Sequence, residues 1–584
     1  MSQPAAVLSG SAKIPEAEGQ LPPTSREEID AALTALSAKK DDWVALTLVE
    51  RVRILERLAD ATLAASPRWV QAALKAKGIT PGTVGEGEEW IAGPVPLMRN
   101  IMLLIRSLTD IARKGNPQLP GKAYARPDGQ VVAPVFPTDT WDKLMYQGFT
   151  AEVWMDPEVS LAELPSTQAA FYRDPPEGGK VALVLGAGNV SSIGPMDALY
   201  KLFVEGQVAV LKMNPVNAYL GPFIEEGFAE LISRGFLRVV QGGAAEGEYL
   251  CNHPEVEEIH ITGSDKTHDA IVYGTGSEGA ERKARRERRN ARRITSELGN
   301  VSGIIVVPGP WSRSDIDFQG LNLASSLTNN AGFNCNATRV VIQHRQWGQR
   351  DALLDAIERG LAQAPQREPY YPGALQRHAA FVEAHPDARQ VGRQGEGKLP
   401  WTLVAGVAPE AVEDICFTTE AFCAVTSETA LSAGSVVEYI EKAVDFVNDT
   451  LWGTLNAAII VHPKSLKDPA VKAAVEKAVA DLRAGAVAVN HWPALAYAFT
   501  SPTWGAFPGH EDHDIRSGRG VVHNTYLFDR PQKSVVRGPF RVSPKPAWFC
   551  NHKTIHRLGP KLAEMTRRPT MAKLSSILLD ALRG

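Results

Sequence analysis

From Lys180 onward the chain alternates short apolar runs with helical stretches. The runs are Val181-Ala182-Leu183-Val184-Leu185, Val208-Ala209-Val210-Leu211, Leu237-Arg238-Val239-Val240 and Ile259-His260-Ile261. Runs of this kind have no polar face, so each strand must be covered on both sides. With crossovers of roughly 20 residues between them, the solution is a parallel sheet built from βαβ units. A second series follows Gly299: Ile304-Ile305-Val306-Val307, Val340-Val341-Ile342, Ala457-Ala458-Ile459-Ile460-Val461 and Ala486-Val487-Ala488-Val489. It predicts a second α/β unit beginning just after Glu297. A chain of 584 residues is too long for one core and suggests roughly two to four units.

Ahead of the first strand the pattern is helical. Thr24 with Glu27, and Thr47 with Glu50, have capping-box spacing, in which hydroxyl and carboxylate satisfy the free amides of a first turn. Val52, Leu55, Leu58, Ala59 and Leu63, and then Leu97, Ile101, Leu104, Ile105, Leu108 and Ala112, recur at helical period. Gly194-Pro195 reads as the start of the first crossover helix, and Gly235 as the stop of the second. Residues 1–23 are small, polar and Pro-rich and read as a mobile tail, without the charged and apolar regions of a secretory signal. The most apolar helical stretch, Ile101–Ile105, is flanked by Arg99 and Arg106, so no bilayer span is expected. From Arg541 the chain ends in an extension with a helical leucine run.

Net charge is −4 and the pI about 6.4, which gives no overall attraction to nucleic acid or anionic membrane. The five cysteines are scattered without a CxxC pair, which fits a reducing cytoplasm rather than a disulfide framework or a zinc ribbon.

Three segments carry chemistry. Gly186-Ala187-Gly188-Asn189 follows the first strand where a phosphate-binding turn would sit, but Ser191 occupies the third glycine position of GxGxxG. Gly274–Gly279 does match GxGxxG, yet it follows a helix and leads into charges, so we read it as a chance match. Cys335 stands in a loop of amides and small residues, Asn329-Asn330-Ala331-Gly332-Phe333-Asn334-Cys335-Asn336, just before a strand, and Thr295-Ser296-Glu297-Leu298-Gly299 supplies a carboxylate upstream. A thiol and a carboxylate in loops at strand ends read as nucleophile and base. The basic stretch Arg282, Lys283, Arg285, Arg286, Arg288, Arg289, Arg292 and Arg293 reads as a solvated helix face, and His510-Glu511-Asp512-His513-Asp514 as a polar loop; no metal site is expected.

Taken in order, these residues resemble the aldehyde dehydrogenase superfamily from about Trp43 to about Gly520. The resemblance implies an α/β fold with a Rossmann-type cofactor domain (24–148 and 175–296), an α/β catalytic domain (297–500), a small β oligomerisation arm with its closing strand (149–174 and 501–540), and the 541–584 extension. It implies Cys335 as nucleophile, Glu297 as general base and Asn189 as oxyanion donor. It further implies Lys212, Asn214, Gly263, Ser264, Glu420 and Phe422 as cofactor-binding residues, and a homodimer or homotetramer acting on an aldehyde. Departures from the family pattern are the 38 positions from Glu297 to Cys335 (335 − 297), Cys423-Ala424 after Phe422, and Ala187-Gly188 before Asn189. Pro215 replaces an acidic residue expected near the adenosine 2′-hydroxyl, so NADP is admitted at least as readily as NAD. The amides around Cys335 offer dipoles but no cation, which leaves thiol activation to the bound cofactor. Two alternatives remain open: an acylating relative that passes the acyl group to or from coenzyme A or a carrier thiol, and an inactive scaffold on the same fold.

Overall fold

The computed structural model describes residues 21–392 and 397–584. The expected tail therefore lies, up to residue 20, outside the described residues. Two sheets organise the rest.

The first sheet runs Gly518–Arg519, Arg293–Leu298, Glu258–Gly263, Val181–Leu185, Val208–Lys212, Leu237–Val240. All neighbours are parallel except the short Gly518–Arg519 edge. The chain's first strand in this sheet lies in the middle, with later strands added first on one side and then on the other. Strand order therefore reverses between Val181–Leu185 and Glu258–Gly263, and the loops leaving those two strands diverge. In open α/β sheets a crevice forms there, beyond the carboxyl ends of the strands. The loops at this switch point are Gly186–Asn189 and Gly263-Ser264.

The second sheet has 11 strands. Its parallel centre runs Pro531–Arg537, Ala486–Val489, Asn456–Ile460, Gly303–Val306, Val340–His344, Val425–Leu431, Trp401–Val407. Thr150–Met155 and Val131–Phe136 extend it antiparallel past Pro531–Arg537. The two segments expected to form an arm thus supply adjacent strands of the catalytic-side sheet. Both sheets are fully buried at their centres, as their unbroken apolar runs require.

Leu48–Ala76 starts at the expected Thr47–Glu50 capping box. The first helix does not start where expected: Ser25 and Glu28 form its box, while the Thr24 hydroxyl accepts from the Gln241 N–H at 2.9 Å. Both pairs have the same spacing, and a tertiary hydrogen bond chose between them. Leu48–Ala76 packs against Pro94–Lys114 through Leu55, Leu58, Ala59, Leu97, Ile101 and Leu104. Among the described residues the stretch Val84–Lys114 is long and apolar enough to cross a membrane, but most of it is buried against the protein. Its Arg99 makes a two-pronged ion pair with Asp142 (2.7 and 2.8 Å), and Arg106 donates to the Thr138 carbonyl. The extension forms two helices, Ile555–Arg567 and Met571–Ala581, the first seated on Val84–Ala92 where Gly87 meets Ile555 and Gly559 meets Trp90.

Candidate active site

The loop before the strand Val340–His344 is held in an unusual shape. Asn330, Ala331 and Gly332 have φ of 52°, 56° and 82°, left-handed values that side chains other than glycine adopt at a cost. Neighbouring groups fix it. The Asn330 amide donates to the Asn189 carbonyl (2.9 Å) and accepts from the Tyr370 hydroxyl (2.7 Å). The Asn330 N–H donates to Glu88 (3.1 Å), itself paired to Arg367 at 2.7 Å. At Gly332 a Cβ would lie 2.5 Å from the Cys423 carbonyl oxygen, so no side chain fits. Buried Arg339 ties the loop down, donating to the carbonyls of Cys423 (2.8 Å), Val425 (3.0 Å) and Gly332 (2.6 Å).

Asn189 reaches the same loop from the first sheet, its Nδ2 donating to the Phe333 carbonyl at 2.9 Å. Glu297 reaches it from the end of the Arg293–Leu298 strand. Its carboxylate lies within electrostatic reach of the Cys335 thiol, and its Oε1 has no protein partner among the described residues. Burial, helped by the charge of Asp197, pushes the Glu297 pKa up to about 8. Burial, followed by Glu297 and Glu420, holds the Cys335 thiol well above its ordinary value. The expectation that no cation lies near Cys335 is corrected here. The guanidinium of Arg339 lies within electrostatic reach of Cys335 and Glu420, but its N–H groups are committed to backbone carbonyls.

A cleft of about 860 Å³ opens from this point along the switch of the first sheet. Asn189, Lys212, Asn214, Gly263, Ser264, Glu297, Cys335, Glu420 and Phe422 all line it. Lys212 ends the Val208–Lys212 strand; burial lowers its pKa to about 8, opposed by Glu246. Asn214 accepts from the Val216 N–H and caps the turn Pro215–Leu220. Ser264 caps the helix Asp265–Tyr273, which directs that helix's N-terminus at the cleft. Glu420 packs against Gly299, where a Cβ would collide with its carboxylate. Burial raises its pKa to about 7, opposed by Arg339. Phe422 has φ 40°, and Arg377 holds it in place by donating to the carbonyls of Ala421 (2.9 Å) and Phe422 (3.0 Å). The Gly274–Gly279 match joins two helices rather than a strand and a helix, although Thr275 borders the cleft.

A dinucleotide fits this cleft chemically. The volume suits an elongated ligand, the Glu420 Oε1 is buried without a partner, and Lys212 has no ion pair among the described residues. A helix N-terminus and Gly-rich turns face the same space, as an anionic pyrophosphate needs.

Residues 146–385 match the model of the aldehyde dehydrogenase family. Over those residues the chain is similar to that family. The human 4-trimethylaminobutyraldehyde dehydrogenase is 32% identical over 143 residues, which is 24% of this chain and 25% of that protein. The chain thus spans about a quarter of that curated relative's length in the matched region. Two solved structures share the fold. The NADP-dependent glyceraldehyde-3-phosphate dehydrogenase of Bacillus halodurans, complexed with NADP, has a TM-score of 0.58 at 17% identity, covering 90% of this chain and 95% of that one. The aldehyde dehydrogenase of Mycobacterium tuberculosis, complexed with NAD+, has a TM-score of 0.59 at 17% identity, covering 91% and 95%. The α/β architecture is that of the aldehyde dehydrogenases.

Several residues around the cleft carry no signal in the sequence. Asp197 is fully buried, accepting from Thr262 Oγ1 at 2.9 Å near His260. Tyr497 shares a 2.6 Å hydrogen bond with Ser192 within electrostatic reach of Cys335 and Glu297. Glu88, Arg367 and Arg377 hold the Cys335 loop and the Ala421-Phe422 segment from distant helices and loops. Only Arg339, four places beyond Cys335, stood close enough in sequence to be noticed.

Proposed function

We propose that this chain oxidises an aldehyde to a carboxylic acid with NAD or NADP as acceptor, through a covalent intermediate on Cys335. What supports this reading is the convergence of the Asn189 amide, the Glu297 carboxylate and the Cys335 thiol at one end of a dinucleotide-sized cleft. The Cys335 sulfur forms a bond to the aldehyde carbon while its proton passes to Glu297. The Asn189 Nδ2 and the Cys335 N–H face the oxygen that gains charge; one such donor is typically worth about 10² to 10³ in rate. A nicotinamide dinucleotide, when bound, accepts the hydride released from that carbon. After returning its proton to solvent, Glu297 takes another from a water. The hydroxide adds to the thioester, the C–S bond breaks, and the thiol is regenerated.

Lys212, Asn214, Gly263 and Ser264 would hold the adenosine and pyrophosphate end of the dinucleotide, and Glu420 and Phe422 the riboside end. With Pro215 where a carboxylate would repel a 2′-phosphate, both dinucleotides are admitted. We further propose a homodimer or homotetramer and a cytoplasmic location.

The test is turnover and thermal shift with NAD and NADP across aliphatic, aromatic and semialdehyde substrates, beside Cys335→Ser. Acid production lost in that variant while dinucleotide binding persists is the expected result. Full activity without the thiol overturns the mechanism. Acyl-thioester formation with coenzyme A in place of acid would move the chain to the acylating reading, and dinucleotide binding without any turnover to a scaffold.

A further inference from the structure

His385, Asp414 and Cys416 lie away from the cleft with one donor atom each, all within 4.8 Å of one another. They come from two elements. His385 ends the helix Ala374–Ala384, its N–H donating to the Phe381 carbonyl. Asp414 and Cys416 open the short helix Ile415–Thr418, where Asp414 Oδ1 accepts from the Cys416 N–H at 2.8 Å. His385 Nε2 stands 3.1 Å from the same Asp414 oxygen. The Cys416 sulfur is buried and within reach of the Ser427 hydroxyl, and that hydroxyl is anchored to the Arg339 carbonyl at 3.0 Å. His385 and Asp414 are partly open to solvent, which gives an ion a route in.

We propose that His385, Asp414 and Cys416 bind one divalent cation of the zinc class, which clamps the segment that carries Glu420 and Phe422 into the cleft. The donor set decides the class. Imidazole, thiolate and carboxylate together suit zinc or cobalt, whereas calcium and magnesium take all-oxygen sites. In a tetrahedral zinc site the donors stand about 3.3 to 3.8 Å apart. The His385–Asp414 pair is already near that separation, and the sulfur needs to shift by about 1.3 Å at most. Three protein donors leave a fourth position for water. Supporting groups behind the ligands are in place: the Cys416 N–H on Asp414, and Ser427 beside the sulfur. On binding, the thiol proton leaves to solvent and no redox change occurs.

The mechanical consequence follows from chain continuity. The helix that ends in His385 also carries Arg377, which holds the Ala421 and Phe422 carbonyls, and the Trp452 N–H donates to Phe417 at 2.9 Å. An ion joining His385 to residues 414–416 fixes the other end of the segment 414–422 to the same helix. The clamp's effect on cofactor rests on the proposed dinucleotide cleft; ion binding itself does not.

The experiment uses the full chain with Cys335→Ala, so that the nucleophile does not capture metal. Zinc is titrated in competition with a chromophoric chelator, and cobalt is added in parallel for its absorption spectrum. One retained equivalent per chain and a thiolate-to-cobalt charge-transfer band are expected. Adding Cys416→Ser should abolish the band, and His385→Gln or Asp414→Asn should weaken zinc about 10-fold or more. Asn caps a helix as well as Asp does, so Asp414→Asn separates ligation from folding, with circular dichroism as the check. No retained equivalent, or equal retention in Asp414→Asn, overturns the site. Equal NAD and NADP affinity in zinc-loaded and chelator-stripped protein overturns the clamp alone. Zinc binding with no dinucleotide binding in either state leaves the ion site standing and removes the proposed function instead.

Discussion

Glu297 illustrates how much a single side chain depends on its surroundings. Its carboxyl titrates near 8 because burial and Asp197 disfavour its charge, and the base is the deprotonated form. Thioester hydrolysis should therefore rise with pH and level off above about 8, read from acid release in single-turnover experiments. Glu297→Gln should slow that step by about 10² to 10⁴ and leave an acyl-enzyme visible by mass spectrometry. The same shift predicts a stability effect. The folded pKa lies above the ordinary 4.5, so between about 4.5 and 8 the native state holds a proton that the unfolded chain has lost. Stability contributed by this group therefore falls as pH rises through that window. Glu297→Gln should gain in melting temperature relative to wild type more at pH 8 than at pH 5. At Asn189, replacement by Ala removes both a proposed oxyanion donor and the bond to Phe333, and kcat should fall by about 10² to 10³; an undiminished kcat would remove the amide from the mechanism.

At the scale of elements, the left-handed turn Asn330–Gly332 persists because structure around it over-determines its shape. Glu88, from the helix Val84–Ala92, receives the Asn330 N–H and neutralises Arg367. Glu88→Ala leaves that buried guanidinium unpaired and should cost about 3 to 5 kcal/mol, measured by denaturant unfolding, with kcat/KM reduced as the Cys335 loop relaxes. An exposed-site cost, under about 0.5 kcal/mol, would show that the network does not hold the turn. The capping boxes show how far local chemistry reaches. Thr47–Glu50 formed as its spacing indicated, while Thr24 lost its place to Ser25 through a bond to Gln241, more than two hundred residues away in the chain.

For the whole molecule, the cleft lies between two sheets, and a ligand that spans them should stabilise both. A dinucleotide at about 100 times its Kd should add about 2.7 kcal/mol, and the dinucleotide that gives the larger thermal shift at equal concentration is the preferred one. The extension is built into the helical layer: Trp90 packs against Gly559, Gly87 against Ile555, and Arg567 pairs with Asp60. Ending the chain at residue 540 should expose Trp90, Val70 and Leu74 and give an aggregation-prone product, checked by light scattering. A monodisperse product of unchanged melting temperature would show that the extension is dispensable.

The sequence by itself determined the two α/β units, because unbroken apolar runs can be buried only between layers, and its resemblance to the aldehyde dehydrogenases singled out nine residues that line one cleft. It also marked Cys335, because a thiol among amides before a strand is a local pattern. Only the tertiary structure decided what surrounds them. Asp197, Arg367 and Glu88 act through distances between elements far apart in the chain, and Arg339 shows its reach only once its loop is folded back. The joining of Thr150–Met155 to Pro531–Arg537 is likewise beyond local pattern. Periodicity states which face of a strand is buried; only the folded chain states against which partner.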